Sequence, residues 1–177
     1  MDELMGRRVP HSPEAEQSIL GSMLIDPACI PDVVNKVKST EFYIDANRDI
    51  FETMFSMFSL GQRVDPVTVL DQMKVRGLWK ETSPRYLAEL MEVTPTAANV
   101  LEYCSIVREQ ALLRTLGSTA SEISELVYSG TAEAQQALEL AERKIYALRK
   151  ENTAGGLVPM TQVLQDVLKM ISPASEQ

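Results

Sequence analysis

The residue types that most often perform catalysis are sparse and isolated in this chain. His11 is the only histidine among 177 residues, and Cys29 and Cys104 are the only cysteines. A histidine acts as a general base, and a cysteine as a nucleophile or metal ligand, only with a partner residue at a suitable position. Neither cysteine belongs to a Cys-x-x-Cys pair, and His11 lies beside Pro10, ahead of the first predicted helix. We therefore predict that His11 is a flexible or capping residue and that both cysteines pack in the interior.

Three carboxylates and one short segment also allow a chemical interpretation. Asp45, Asp49 and Glu52 share one helical face, as metal ligands would, but carboxylates alone at this spacing are typical of a solvated surface. Residues 65–79, together with the helix before them, could form half of a helix-turn-helix, although their charges are mixed. A helix-turn-helix-like DNA-binding regulator is therefore the alternative function for this chain.

The sequence contains no phosphate-binding loop of the G-x-x-x-x-G-K-[ST] type, because no Gly-Lys pair occurs in it. The chain has 17 Lys and Arg against 25 Asp and Glu, a formal net charge of −8, which disfavours binding to nucleic-acid phosphates. Charged residues interrupt every apolar run before it reaches membrane-spanning length. We expect a cytoplasmic chain that is not an enzyme by itself, holds no cofactor or metal, binds no nucleic acid directly and does not enter a membrane.

Pairs of a small polar residue and proline punctuate the first half of the chain. Ser12-Pro13, Asp65-Pro66 and Ser83-Pro84 each place a side-chain acceptor at a helix N-cap and proline at the first helical position. Apolar residues then recur at helical spacing, and no segment shows sustained period-two alternation. The fold class predicted for the whole chain is therefore all-α, with residues 1–96 forming a small N-terminal helical bundle.

The start of the second helix stays open between Pro27 and Pro31. A helix that began at Pro27 would contain Pro31 in its interior, and a proline inside a helix costs about 3 kcal/mol. Phe51, Phe55 and Phe58 are spaced as core residues of one helix, and no basic residues are interleaved with them as in a base-stacking surface.

Residues 97–150 carry a different pattern, in which apolar residues are spaced by three, four and seven positions. Ser129-Gly130-Thr131 interrupts the pattern with a tight turn, so the two helices on either side of it must run antiparallel as a hairpin. The predicted seam, within the hairpin or across a dimer, comprises Ile106, Leu113, Leu116, Ala120, Ile123, Val127, Ala134, Leu138, Ala141, Ile145 and Leu148.

Residues 151–158 contain Gly155-Gly156 and are typical of a flexible linker. Residues 159–177 follow as a tethered linker helix and tail with one apolar face, which we predict to dock on another protein chain. The predicted docking face comprises Met160, Val163, Leu164, Val167, Leu168 and Ile171.

In order and spacing, these segments resemble the N-terminal region of DnaB-type replicative DNA helicases. The resemblance rests on PHSPEAEQSILGSMLIDP, EFYIDANRDIF, GQRVDPVTVLDQMKVRGLW, YLAELMEVTPTAANVLEYCSIVREQALLRTL, LELAERKIYAL and VPMTQVLQDVLKMI. The family often has His-Arg where this chain has Asn47-Arg48, and Gly-Gly where it has Ser83-Pro84. Both departures are expected to alter local loops and not the fold.

The resemblance implies a subunit of a hexameric helicase that unwinds DNA 5′ to 3′ at the replication fork. It implies that this chain is the N-terminal collar, which forms dimers and a trimer of dimers and recruits the primase. The linker helix would then dock on the neighbouring subunit's ATPase domain. ATP and Mg²⁺ would bind in a C-terminal RecA-like ATPase domain that this chain lacks.

Overall fold

The computed structural model describes residues 8–131 and 133–154, with side chains described as far as residue 150. These residues form α-helices and short 3₁₀ turns without a strand, which confirms the all-α prediction. The helices are α1 Pro13–Ile25, α2 Ile30–Lys36, α3 Asp45–Ser59, α4 Pro66–Val75, α5 Ser83–Glu92, α6 Val100–Tyr128 and α7 Ala134–Ala154. In these helices we find none that is both long and apolar enough to cross a lipid bilayer.

The chain divides into two compact units within α6, one ending at Ser118 and the other starting at Thr119. The first unit contains α1 to α5 and most of α6, and the second contains the end of α6 and all of α7. The predicted domain bounds of 1–96, 97–150, 151–158 and 159–177 remain predictions.

Two of the three predicted N-caps are present. The Ser12 side chain accepts a hydrogen bond from the Ala15 N–H at 3.3 Å, and the Asp65 carboxylate accepts from the backbone N–H groups at the start of α4. The prediction for Ser83 is wrong by one residue, because Thr82 is the N-cap and Ser83 already lies in α5. The Ser83 hydroxyl accepts from the Lys80 N–H at 2.9 Å and stabilises the preceding turn.

The sequence left open whether the second helix begins at Pro27 or at Pro31. The structure has two successive elements here. Residues Pro27–Cys29 form a 3₁₀ turn capped by Asp26, and α2 begins at Ile30. Pro31 therefore lies in the first turn of α2, where a missing backbone N–H is tolerated.

The core of the first unit lies around α1, which packs mainly against α5 and α3. Ile19, Leu20 and Met23 of α1 are completely buried. Phe51 is buried as predicted, but the prediction that Phe55 and Phe58 are core residues is wrong, since they are 45% and 38% exposed. Helical spacing alone could not show which of the three phenylalanines is buried, because the apolar face of α3 is wider than the surface that α1 covers.

A buried carboxylate joins α1 to the start of α3. Glu16 is only 1% exposed, and its oxygens accept hydrogen bonds from the Tyr43 N–H at 2.6 Å, the Ile44 N–H at 3.3 Å and the Asn47 Nδ2 at 2.8 Å. The residue at the N-cap of α3, Ile44, has no side chain able to cap the helix. Toward the Ile44 N–H, Glu16 therefore acts, from a distant part of the chain, as the glutamate of a capping box normally does from within the helix. Its other two hydrogen bonds hold Tyr43 and Asn47 at the start of α3.

Asn47 extends this network to α5. The Tyr86 hydroxyl donates to the Asn47 Oδ1 at 2.6 Å and lies 3.4 Å from the Gln17 Nε2. Burial raises the pKa of Tyr86, so the hydroxyl keeps its proton and remains a donor at neutral pH. Asn47 lies in the first turn of α3 and is fully buried. This departure from the family pattern is therefore at a helix edge, as expected, but it faces the core.

We expect replacement of Asp65 by alanine to lower the melting temperature at neutral pH. Its carboxylate accepts from Thr68 N–H and Val67 N–H, both at 3.0 Å, and these bonds, with the Thr68 bond foremost, lower the pKa of Asp65 from its ordinary 3.8. A lowered pKa in the folded state contributes stability above pH 3.8, which is lost as the pH falls through the folded-state value.

The difference in melting temperature between wild type and Asp65→Ala should therefore narrow in melts recorded well below pH 3.8. Asp71→Ala serves as the control, since Asp71 is an exposed carboxylate on the same helix. A difference that did not change with pH would contradict the assigned role of the Asp65 charge.

In the second unit, the end of α6 and α7 run antiparallel. Gly130 has a φ of 65°, which a residue with a side chain adopts only at a cost, and this allows the tight reversal after Tyr128. Lys144 of α7 forms an ion pair with Glu122 of α6. This pair links the two helices at a defined register.

Candidate interaction surface along α6

One side of α6 is buried against the rest of the first unit. Val100, Cys104 and Val107 are 5%, 0% and 2% exposed and follow the four-and-three spacing of one helical face. Their burial fixes the rotation of α6 about its axis. It therefore determines which side chains of the helix face outward.

Two arginines hold α6 further along the same unit. The Arg114 guanidinium donates to the Pro10 carbonyl at 2.8 Å and to the Glu41 carbonyl at 2.6 Å, and it lies 5.3 Å from the centre of the Tyr43 ring. Arg108 forms an ion pair with the Glu41 carboxylate at 3.7 Å. Burial lowers the pKa of Arg114, and the nearby Glu16 carboxylate opposes this shift.

The opposite side of α6 exposes several apolar side chains in the first unit. They follow the spacing predicted for the seam, and they are 40% to 44% exposed. We call this surface the α6 stripe; it consists of Ile106, Leu113 and Leu116. In the second unit, the predicted seam residues Ala120 and Val127 of α6 are also exposed. Ile123, the remaining predicted position on this helix, is half-buried.

The predicted seam residues of α7 divide in the same way. Ala134, Leu138 and Ile145 are exposed, whereas Ala141 and Leu148 are half-buried. The structure thus brings only part of the predicted set towards the interior and leaves the α6 stripe open. Large apolar side chains that share one exposed face of a helix are typical of an interaction site.

Two polar residues of the second unit are also withdrawn from solvent, and the sequence interpretation missed both. Thr119 is 8% exposed, and Lys144 is half-buried at its ion pair with Glu122. The predicted seam contains only apolar residues, although the aliphatic stem of a lysine also covers apolar surface well. Thr119 lies four residues before Ile123 on the same helical face, and this spacing is a signal that could have indicated its position.

The residues first considered for catalysis have structural roles. His11 packs on the Tyr43 ring, with the ring centroids 4.4 Å apart, and its Nδ1 lies 2.6 Å from the Val9 carbonyl oxygen. These contacts hold His11 in place, so it is neither a flexible residue nor a helix cap. Burial raises the pKa of Cys29 to about 11 and that of Cys104 to about 12. Both thiols are therefore protonated and unreactive at neutral pH.

No group of three or more metal-ligating side chains occurs among residues 8–131 and 133–150. The predicted docking face of the linker helix, from Met160 to Ile171, lies outside the described residues.

Residues 8–109 match the model of the DnaB-like helicase N-terminal domain family. The chain is 34% identical over 159 residues to the replicative DNA helicase DnaB of Leifsonia xyli, and 34% identical over 152 residues to that of Pasteurella multocida. These matches cover 89% and 85% of this chain but only 35% and 32% of the relatives. The chain thus spans about a third of the length of the curated relatives that it matches.

Solved structures agree with this match. The N-terminal domain of the DnaB helicase from Mycobacterium tuberculosis superposes with a TM-score of 0.73 at 33% identity, over 79% of this chain and 99% of that domain. A DnaB-like replicative helicase, solved in a study of its interactions with primase, superposes with a TM-score of 0.63 over 93% of this chain and 36% of its own. At 20% identity, the second comparison shows the fold alone. The chain belongs to the DnaB-like helicase N-terminal domain family.

Proposed function

We propose that this chain is the N-terminal collar of a hexameric replicative DNA helicase, which joins subunits and recruits the primase. The observation that carries the proposal is the α6 stripe, whose side chains are 40% to 44% exposed in a single chain. Burial of a fully exposed side chain of this size contributes about 1.5–3 kcal/mol, and roughly two fifths of that remains available for each residue of the stripe. A second copy that covers the stripe would therefore gain a substantial free energy of association.

The family supports the same proposal. The relatives are replicative DNA helicases, and the second solved structure is a helicase studied with primase. In the full-length cytoplasmic protein, a C-terminal domain would hold ATP and Mg²⁺ and unwind DNA 5′ to 3′. The linker helix at residues 159–177 would dock on the neighbouring subunit's ATPase domain. The family match favours this collar over a helix-turn-helix-like regulator.

We expect the combined change of Leu113→Glu and Leu116→Glu to convert a self-associating chain into a monomer. The buried carboxylates would lack partners in a dimer, and unpaired charges in an apolar interface are strongly unfavourable. Both leucines are more than 40% exposed in the single chain, so its circular dichroism spectrum and its melting temperature in dilute solution should change little. Sedimentation equilibrium measures the mass.

The matched control is Leu101→Glu, which changes a leucine of α6 that is 44% exposed and lies off the stripe. This variant should keep the wild-type mass. An unchanged mass for the double variant would rule out the α6 stripe as the contact between copies. A pull-down with the C-terminal domain of the cognate primase tests recruitment separately, and failure of the wild-type chain to bind would refute that part of the proposal.

A further inference from the structure

A groove crosses the first unit between the start of α3 and α5. It has a volume of about 500 Å³, and its floor is apolar. Ile50 and Met73 are buried at the floor, and Leu78 and Tyr86 are half-buried along it. Such a floor accepts one or two apolar side chains of a peptide.

Charged side chains of both signs surround this floor. Lys80 and Arg85 supply two cations, and Asp49 and Glu89 supply two carboxylates. None of these four groups takes part in the ion pairs found among residues 8–150. A ligand that carries apolar side chains flanked by charges of both signs would therefore complement the groove.

Residues 1–7 of this same chain have that combination of groups. Asp2 and Glu3 are acidic, Leu4 and Met5 are apolar, and Arg7 is basic. We call residues 1–7 the N-terminal segment. The apolar pair matches the floor in size, and the flanking charges are opposite in sign to the two kinds of charge on the rim.

The position at which the chain enters the described structure makes the groove reachable. Arg114 holds the Pro10 carbonyl, and His11 packs on Tyr43. Ile44, the next residue after Tyr43, lines the groove. Leu4 precedes Pro10 by six residues, and six extended residues span at most about 20 Å, at about 3.4 Å per residue.

We propose that the N-terminal segment docks in this groove of its own chain. Leu4 and Met5 lie on the apolar floor, and the acidic pair faces Lys80 and Arg85. The groove is thus a recognition site for an acidic-apolar peptide that the chain's own N-terminus occupies. This inference is independent of self-association through the α6 stripe.

Nuclear magnetic resonance of the full 177-residue chain tests this docking. The combined change of Leu4→Ser and Met5→Ser should shift the methyl resonances of Ile50, Met73 and Leu78, while methyl groups of α2 stay unchanged. The shifts should be the same at every protein concentration, since the contact is within one chain. Unchanged groove resonances would overturn the proposal, and so would shifts that disappear on dilution, because they would place the segment in a second copy.

A charge exchange tests the polar part of the contact. Asp2→Lys with Glu3→Lys, and separately Lys80→Glu with Arg85→Glu, should each release the segment and produce the same groove shifts. Combining all four changes should restore the wild-type resonances, which a structural defect would not do. Arg143→Glu with Lys150→Glu is the matched control on α7, and it should leave the groove unchanged. Failure of the fourfold variant to restore the resonances would overturn the assigned pairing.

Discussion

Replacement of Gly21 by alanine is expected to destabilise the first unit by about 3 kcal/mol and to lower its melting temperature by roughly 10 °C. A Cβ at this position would lie 2.1 Å from the Thr94 Oγ1 and 2.2 Å from the Leu90 carbonyl oxygen. The second contact is with backbone, which a rotamer change cannot relieve. The extra methyl group would therefore push α1 away from α5, the helix against which it packs most extensively.

Gly117→Ala provides the matched control, because a Cβ there meets no heavy atom within 4 Å. In dilute solution this change should stabilise α6 by about 0.5–1 kcal/mol, the usual preference for alanine over glycine within a helix. Thermal and urea unfolding of both variants measures the difference. A Gly21→Ala protein as stable as wild type would show that α1 and α5 do not approach as closely as described.

Replacement of Glu16 by alanine is expected to cost about 4 kcal/mol, since three donors lose their acceptor and each buried unsatisfied donor costs about 1–3 kcal/mol. The donors are the Tyr43 N–H, the Ile44 N–H and the Asn47 side-chain amide. Because Ile44 cannot cap α3 itself, the first turn of that helix should fray. Urea unfolding measures the free energy, and amide exchange at residues 43–47 measures the fraying.

Glu16→Gln retains one acceptor oxygen and should lose about half as much stability, because a hydrogen bond to a charged group is about twice as strong as a neutral one. Glu14→Ala is the control in the same first turn of α1. Glu14 is exposed, so its loss should remove only a helix-dipole contribution of about 0.3–1 kcal/mol. Equal losses for the alanine variants at positions 14 and 16 would contradict the capping role of Glu16.

The contrast between these two glutamates shows a limit of sequence patterns. Both acidic residues fit the first turn of a helix that begins after Ser12-Pro13. Only packing distinguishes them, because the residues that Glu16 caps are 27 and 28 positions further along the chain. The same reason applies to Asn47, which lies in the first turn of α3 and is part of a buried network with Tyr86.

The hairpin shows a similar limit. The spacing of its apolar residues predicts a seam, and α6 and α7 do occupy the predicted stretches on either side of Gly130. Spacing could not show whether a given position faces the partner helix or solvent, because both faces of α6 carry apolar residues. Burial of Val100, Cys104 and Val107 fixes the rotation of α6 and leaves the stripe outside.

The sequence by itself determined the all-α class, the helix starts at Ser12 and Asp65, and the family to which the chain belongs. These properties depend on local backbone preferences and on the order of motifs along the chain. Neither requires knowledge of which distant segments are in contact. Only the tertiary structure decided that Glu16 caps α3, that Gly21 allows α1 to approach α5, and that the α6 stripe faces outward. Each of these depends on contacts between distant segments, and the free energy of such contacts exists only once the helices pack together.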